Sequence, residues 1–289
     1  MLQIARLAPN VLGDATTLVA DFFQSQMHPD GGFSNRDGQS DLYYTVFGIE
    51  GLLALQQPLP VAELVRYLSA FGNGDELDFV HLACLARCWS VLPIEFRRQI
   101  PTQAILSRME GCRTPDGGYD TVPHRPSGTL YGSYMACRAY QDLRESIPDP
   151  TPLVAFIRSL RDPLGTYRQS NDLPVSLLPA TAGAVALLRH LDTQSVDPEI
   201  GNWVLSCFDE QGGFRPTPDT PIPDLLSTAT ALHTLSALKI DLGPRKELCL
   251  DFLDTLWTSR GGFFGHWEDS HADCEYTYYA LLSLGHLSL

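Results

Sequence analysis

The chain has 289 residues, 44% of them hydrophobic and 19% charged, a balance that excludes an intrinsically disordered protein. No apolar run reaches the roughly 18 residues that a membrane-spanning helix needs. The formal net charge of −14 disfavours nucleic acid and anionic membrane as main partners, leaves small anionic ligands open, and favours a basic protein partner. Seven cysteines, an odd number without metal-ligand spacing, read as reduced thiols, with Cys84 and Cys88 as core residues. The N-terminal stretch from Met1 to Arg6 has no secretory pattern, so the expected location is cytoplasmic.

From the N-terminus, the spacing of apolar residues predicts a helix over 14–26 that starts at Asp14, a turn at Gly31-Gly32-Phe33, and a second helix over 41–55. The same succession then repeats. A helix over 60–71, opened by Pro60, leads to Gly72-Asn73-Gly74 and a second helix over 76–92. A helix over 93–112 leads to Gly117-Gly118-Tyr119 and a second helix over 128–143. Pro152 marks the start of a helix over 151–161, followed by Leu164-Gly165-Thr166-Tyr167 and a second helix over 175–191. A helix over 196–208 leads to Gly212-Gly213-Phe214 and a second helix over 224–238. Last comes a helix over 244–258 after Pro244, then Gly261-Gly262-Phe263 and a second helix over 272–287. The strong glycine turns start at 31, 117, 212 and 261, with the first two intervals close to twice the third, so the repeat is roughly 48 residues.

The first helix of each pair carries charge on one side, whereas the second helices are small and apolar nearly all round, as in Ala182-Gly183-Ala184-Val185-Ala186. A helix apolar on every face is buried. Six buried second helices inside six amphipathic ones predict an all-α fold: one (α/α)6 toroid of about six helical hairpins, formed as a single domain by residues 1–289. In such a ring the loops before the second helices open on one face. Arg36, His124, Arg125, Arg168 and Arg215 fall in those loops, beside helix N-termini suited to phosphate. Tyr43, Tyr44, Phe47, Tyr131, Tyr134, Tyr276 and Tyr279 recur at helical spacing and suit an apolar cavity, though core packing would also explain them.

Two segments carry a resemblance. Gly32-Phe33 followed by Asp41-Leu42-Tyr43-Tyr44-Thr45-Val46-Phe47-Gly48-Ile49-Glu50-Gly51-Leu52 resembles the Gly-Phe … Asp-x-Tyr-His-Thr segment of protein prenyltransferase β subunits. Gly261-Gly262-Phe263-Phe264-Gly265 followed by Asp273-Cys274-Glu275-Tyr276-Thr277 is similar to their Gly-Gly-x-x-Gly … Asp-x-Cys zinc segment. The same repeat occurs in squalene-cyclase-type proteins. The resemblance implies binding of an isoprenoid diphosphate, transfer of its prenyl group to a thiol held on zinc, and a partner subunit. Asp273 matches the family's zinc-binding Asp; Glu275 stands at the Cys position with Cys274 one residue early, and Tyr44 stands at the His position. Asp273, Cys274 and Glu275 are therefore the candidate zinc ligands, with Asp273, Tyr44 and Tyr276 as candidate catalytic residues. Asp273 as a plain helix cap, like Asp41 and Asp224, is the simpler alternative. The family's Arg and Lys positions after the glycine turn hold His266 and Asp269. The candidate substrate-binding residues are His124, Arg125, Arg215, His266, Arg36, Tyr43 and Tyr131.

Three other readings stay open. One is a ring without catalysis that binds a lipid or a partner protein. Another is a terpene cyclase, although Asp224-Leu225-Leu226-Ser227 keeps only the first acid of the cyclase Asp-x-Asp-Asp motif. The third is a carbohydrate-active enzyme using a carboxylate pair such as Glu268-Asp269.

Overall fold

The computed structural model describes residues 1–192 and 197–289 and resolves two compact units, one of Met1–Pro60 with Gly201–Leu289 and one of Val61–Ile200. In the first unit α1 (Leu2–Ala5), α2 (Pro9–Leu12) and a 3-10 turn (Gly13–Ala15) lead into α3 (Thr16–Ser25). A two-residue antiparallel pair, Phe33–Ser34 with Ser40–Asp41, then delivers the chain to α4 (Leu42–Ala54). The second unit contains α5 (Val61–Ser69), α6 (Phe79–Ser90), a 3-10 turn (Ile94–Gln99), α7 (Thr102–Glu110), α8 (Leu130–Asp142), α9 (Pro150–Ser159) and α10 (Leu178–Leu191). From the unit boundary, α11 (Ile200–Ser206), α12 (Leu225–Ala237), α13 (Arg245–Thr255) and α14 (Cys274–Leu287) complete the first unit.

All six predicted second helices are present, and side-chain capping sets most of their starts. Asp41, Asp78, Asp224 and Asp273 each accept a backbone N–H of the first turn that no intrahelical carbonyl reaches, and Thr129 does the same for α8. In the first unit α14 packs between α4 and α12, so the first and last second helices of the chain touch. In the second unit α8 lies between α6 and α10. The predicted 93–112 helix is split: Pro101 lacks the N–H an interior position would donate, so a 3-10 turn ends before it and α7 begins after it. The fourth hairpin's first helix starts at Pro150 rather than beside Pro152. Val196, at the start of the predicted 196–208 helix, lies outside the described residues. The four-residue helices α1 and α2 had no sequence signature.

The glycine–aromatic repeat has one physical role throughout. The turn aromatic turns inward, and its backbone N–H donates to a hydroxyl on the following second helix: Phe33 to Thr45, Tyr119 to Ser133, Tyr167 to Thr181, Phe214 to Thr228, and Phe263 to Thr277, all at 2.9–3.1 Å. A buried N–H that the helix cannot satisfy is thereby paired at every strong turn. The glycines let two elements approach closely. Gly261, at φ 87°, would place a Cβ 2.3 Å from the Leu18 carbonyl oxygen of α3, and a Cβ on Gly51 would lie 2.2 Å from the Phe23 ring. Phe23, Phe33 and Phe263 are buried, each contributing roughly 1.5–3 kcal/mol of apolar transfer.

Candidate functional site

The N-termini of α4 and α14 meet in the first unit, and the predicted residues of these two helices converge there. Asp41 turns one carboxylate oxygen onto the N–H groups of Tyr43 and Tyr44, at 2.7 and 3.3 Å. Asp273 does the same for the N–H of Tyr276 at 2.9 Å, so it does act as a cap. Its other oxygen has a second partner. Arg36, from the loop between the two short strands, donates from Nε to Asp273 at 2.7 Å and from Nη1 and Nη2 to Asp269 at 3.2 and 2.8 Å. The guanidinium carbon also stands 5.4 Å from the centre of the Tyr276 ring.

The electrostatics follow from this arrangement. Asp273 is only 3% exposed; burial pushes its carboxyl up, while the Tyr276 N–H and Arg36 pull it back. Burial also acts upward on Asp269, but Arg36 and the N–H groups of His271 and Gly265 outweigh it and hold that carboxyl below its usual range. Burial disfavours the charge on Arg36, yet the two carboxylates hold its proton more tightly than in water. Two residues on from Asp273, burial pushes Glu275 up to about 7, although the Tyr43 hydroxyl donates to it at 2.6 Å. Burial, followed by neighbouring carboxylates, pushes the Tyr44 and Tyr276 phenols up to about 12.

Around these groups the rings form a connected set. Tyr43 meets Tyr44 and Phe47 edge-on at 5.7 and 5.1 Å, Phe47 meets Tyr279 at 5.5 Å, and Tyr279 meets Tyr276 at 6.3 Å. All five are half-buried.

The other predicted residues are placed differently. Arg215 is occupied in its own loop, donating to the carbonyls of Thr220 and Phe208 at 3.4 and 3.3 Å with Nε 3.6 Å from Asp209. His266 accepts the Glu268 N–H on Nδ1 at 3.2 Å. His124 and Arg125 are exposed in a loop of the second unit, and Tyr131, 39% exposed, opens α8 there. The structure therefore gathers Arg36, Tyr43, Tyr44, Asp273, Glu275 and Tyr276 into one cluster within the first unit. Sequence reading had missed the role of Asp269. The signal for it was an acidic residue at a family cation position, which calls for a cation from elsewhere in the fold.

The zinc donor set does not fit. Cys274 is fully buried in the first turn of α14, where burial pushes its thiol well above the ordinary range. Asp273 is held by Arg36, Glu275 by Tyr43, and Tyr44 offers a phenol in place of an imidazole. Among the described residues no group of three or more His, Cys, Asp or Glu is placed to hold a metal ion. The proposed ligand trio Asp273, Cys274 and Glu275 is thus three consecutive residues with three separate environments.

The comparisons agree on the fold. The family model of the prenyltransferase alpha-alpha toroid domain matches residues 9–86 and 174–288, well over half of the chain. The fold is similar to that of protein geranylgeranyltransferase-I of Candida albicans complexed with GGPP, with a TM-score of 0.69 and 18% identity over 93% of this chain and 90% of that one. It is also similar to the type II terpene cyclase MstE from Scytonema, whose R337A form holds geranylgeranyl dihydroxybenzoate, with a TM-score of 0.62 and 14% identity over 97% of each chain. The GH76A alpha-1,6-mannanase from Salegentibacter sp. HEL1_6 gives a TM-score of 0.63 and 12% identity over 96% and 98%. No curated protein sequence matches. At these identities the likeness is one of fold. Among the described residues no helix is long and apolar enough to cross a membrane.

Proposed function

The chain belongs to the prenyltransferase α/α-toroid family, and from that premise we propose that it binds an isoprenoid chain, presented as its diphosphate, against the α4–α14 aromatic face. The observation that carries this reading is the run of half-buried rings Tyr43, Tyr44, Phe47, Tyr276 and Tyr279. Such rings bury polyene surface at about 25 cal/mol per Å² and favour developing allylic cation character. Two structural neighbours are complexed with GGPP and with geranylgeranyl dihydroxybenzoate, which supports a chain of that class. The binding energy on this reading comes from the chain rather than the head group, because Arg36 and Arg215 are already engaged by carboxylates and carbonyls. Thiol transfer on zinc is not part of the reading, because the donors do not fit. A basic partner subunit would complement the net charge of −14, and seven buried free thiols support a reducing, cytoplasmic setting.

Calorimetry with geranylgeranyl diphosphate and with geranylgeraniol tests the proposal. The expected dissociation constants lie within about tenfold of each other, and Phe47→Ala weakens both by about tenfold or more. Absence of heat and of thermal shift with either ligand overturns it. Product analysis of the same mixtures separates simple binding from conversion, since cyclisation leaves the carbon skeleton's composition unchanged while transfer requires a prenylated acceptor.

A further inference from the structure

We propose that Arg36 is the resident cation of this site: its guanidinium, in place of a metal ion, holds the two carboxylates at the start of α14. The inference does not depend on the ligand. It rests on four observations. The carboxylate that matches the family's zinc ligand, Asp273, is 3% exposed and directs at Arg36 the oxygen not used in capping. The guanidinium engages Asp269 through two nitrogens and Asp273 through a third, so three of its five N–H donors are fixed in one plane. Asp269 occupies a position where the family has a cation, so the sign of charge there is inverted and the positive partner comes from another loop. Of the other donors at the family's ligand positions, Cys274 is fully buried, Glu275 accepts from the Tyr43 hydroxyl at 2.6 Å, and Tyr44 stands in place of the His.

The consequence is mechanical as well as electrostatic. Asp269 also accepts the N–H groups of Gly265 and His271, and the Gly265 carbonyl accepts the Leu225 N–H at the start of α12. Arg36 therefore ties the strand loop to the 265–273 loop and sets the approach of α14. Its stacking on Tyr276 fixes one ring of the aromatic face. Arg36 is a positioning residue on this account. A guanidinium cannot exchange ligands as a metal does, so it fixes the two carboxylates without the capacity to activate a bound thiolate.

The test uses the full chain and no isoprenoid, so its failure is separate from failure of the binding proposal. Elemental analysis of protein purified without chelator is expected to give less than about 0.1 zinc per chain, with a melting temperature indifferent to EDTA and to zinc. About one zinc per chain, lost in Asp273→Asn, overturns the proposal. Arg36→Ala is expected to melt about 3–8 °C lower, to recover at least half of that loss in methylguanidinium, and to gain a zinc-dependent rise that the wild type lacks. No recovery in methylguanidinium, or equal zinc responses in both proteins, overturns it. Should Arg36→Ala not fold, Arg36→Lys keeps a point charge and is expected to melt below the wild type while remaining indifferent to zinc. A zinc-stabilised Arg36→Lys is the contrary result.

Discussion

Glu275 sits in the first turn of α14 with its carboxyl pushed up to about 7 by burial, and Tyr43 donates to it. The folded form thus keeps a proton that the unfolded chain, with an ordinary carboxylate pKa near 4.5, has already lost. Where the folded state binds more protons, stability falls as pH rises. The stabilisation belonging to Glu275 is complete below about pH 4.5 and lost as pH climbs through about 7, a difference of about 1–3 kcal/mol. Glu275→Gln keeps an acceptor for the Tyr43 hydroxyl but carries no charge at any pH. Its urea midpoint is therefore expected to decline less than that of the wild type between pH 5 and 7. Parallel declines in the two proteins would show that Glu275 titrates normally. The neighbouring carboxylate Asp269 is held low, so its own contribution disappears only on acidification and does not mask the effect.

At the scale of elements, the starts of the second helices were the most legible feature, because capping is a local competition for backbone N–H groups that Asp41, Asp224 and Asp273 win with their own side chains. Asp14, by contrast, lies in a 3-10 turn, and α3 starts at Thr16 without a side-chain cap. The interruption at Pro101 was legible in principle, since proline removes an N–H, but the apolar periodicity of 93–112 continued across it and hid the break. The hydroxyl that receives each turn's N–H was present in the sequence as Thr45, Ser133, Thr181, Thr228 and Thr277, yet no local rule marks a threonine as the partner of a distant aromatic's backbone. This pairing gives a direct prediction. Thr228→Val preserves shape and leaves the Phe214 N–H buried without its acceptor, at an expected cost of about 1–3 kcal/mol in denaturant unfolding. The same change at Thr16, whose hydroxyl donates to the Gly13 carbonyl in a solvent-exposed bond, is expected to cost less than about 0.5 kcal/mol. Equal costs at the two sites would remove the structural role assigned to the repeat.

Across the whole chain, the repeat made the fold readable because about six copies of one hairpin grammar leave few alternatives, and the family match agrees with it. The chemistry of the site was less readable. The Arg36–Asp269–Asp273 cluster joins residues more than 200 positions apart, and its sign could be settled only once the loops were placed together. The same long-range logic governs the N-terminus. The backbone of α1 lies so close to α14 that a Cβ on Gly285 would stand 2.1 Å from the Ile4 carbonyl oxygen, and Ala5 and Ala8 are both fully buried. Four-residue helices have little stability of their own, and chain termini ordinarily fray. Here α1 packs on both α14 and α4, the last and first of the second helices, so its removal uncovers apolar surface on each. Deleting residues 1–8 is expected to cost about 2–4 kcal/mol, seen as a lower urea midpoint, and to speed amide exchange along the C-terminal half of α14. A deletion variant whose midpoint and exchange match those of the full chain would mean that α4 and α14 hold each other without α1.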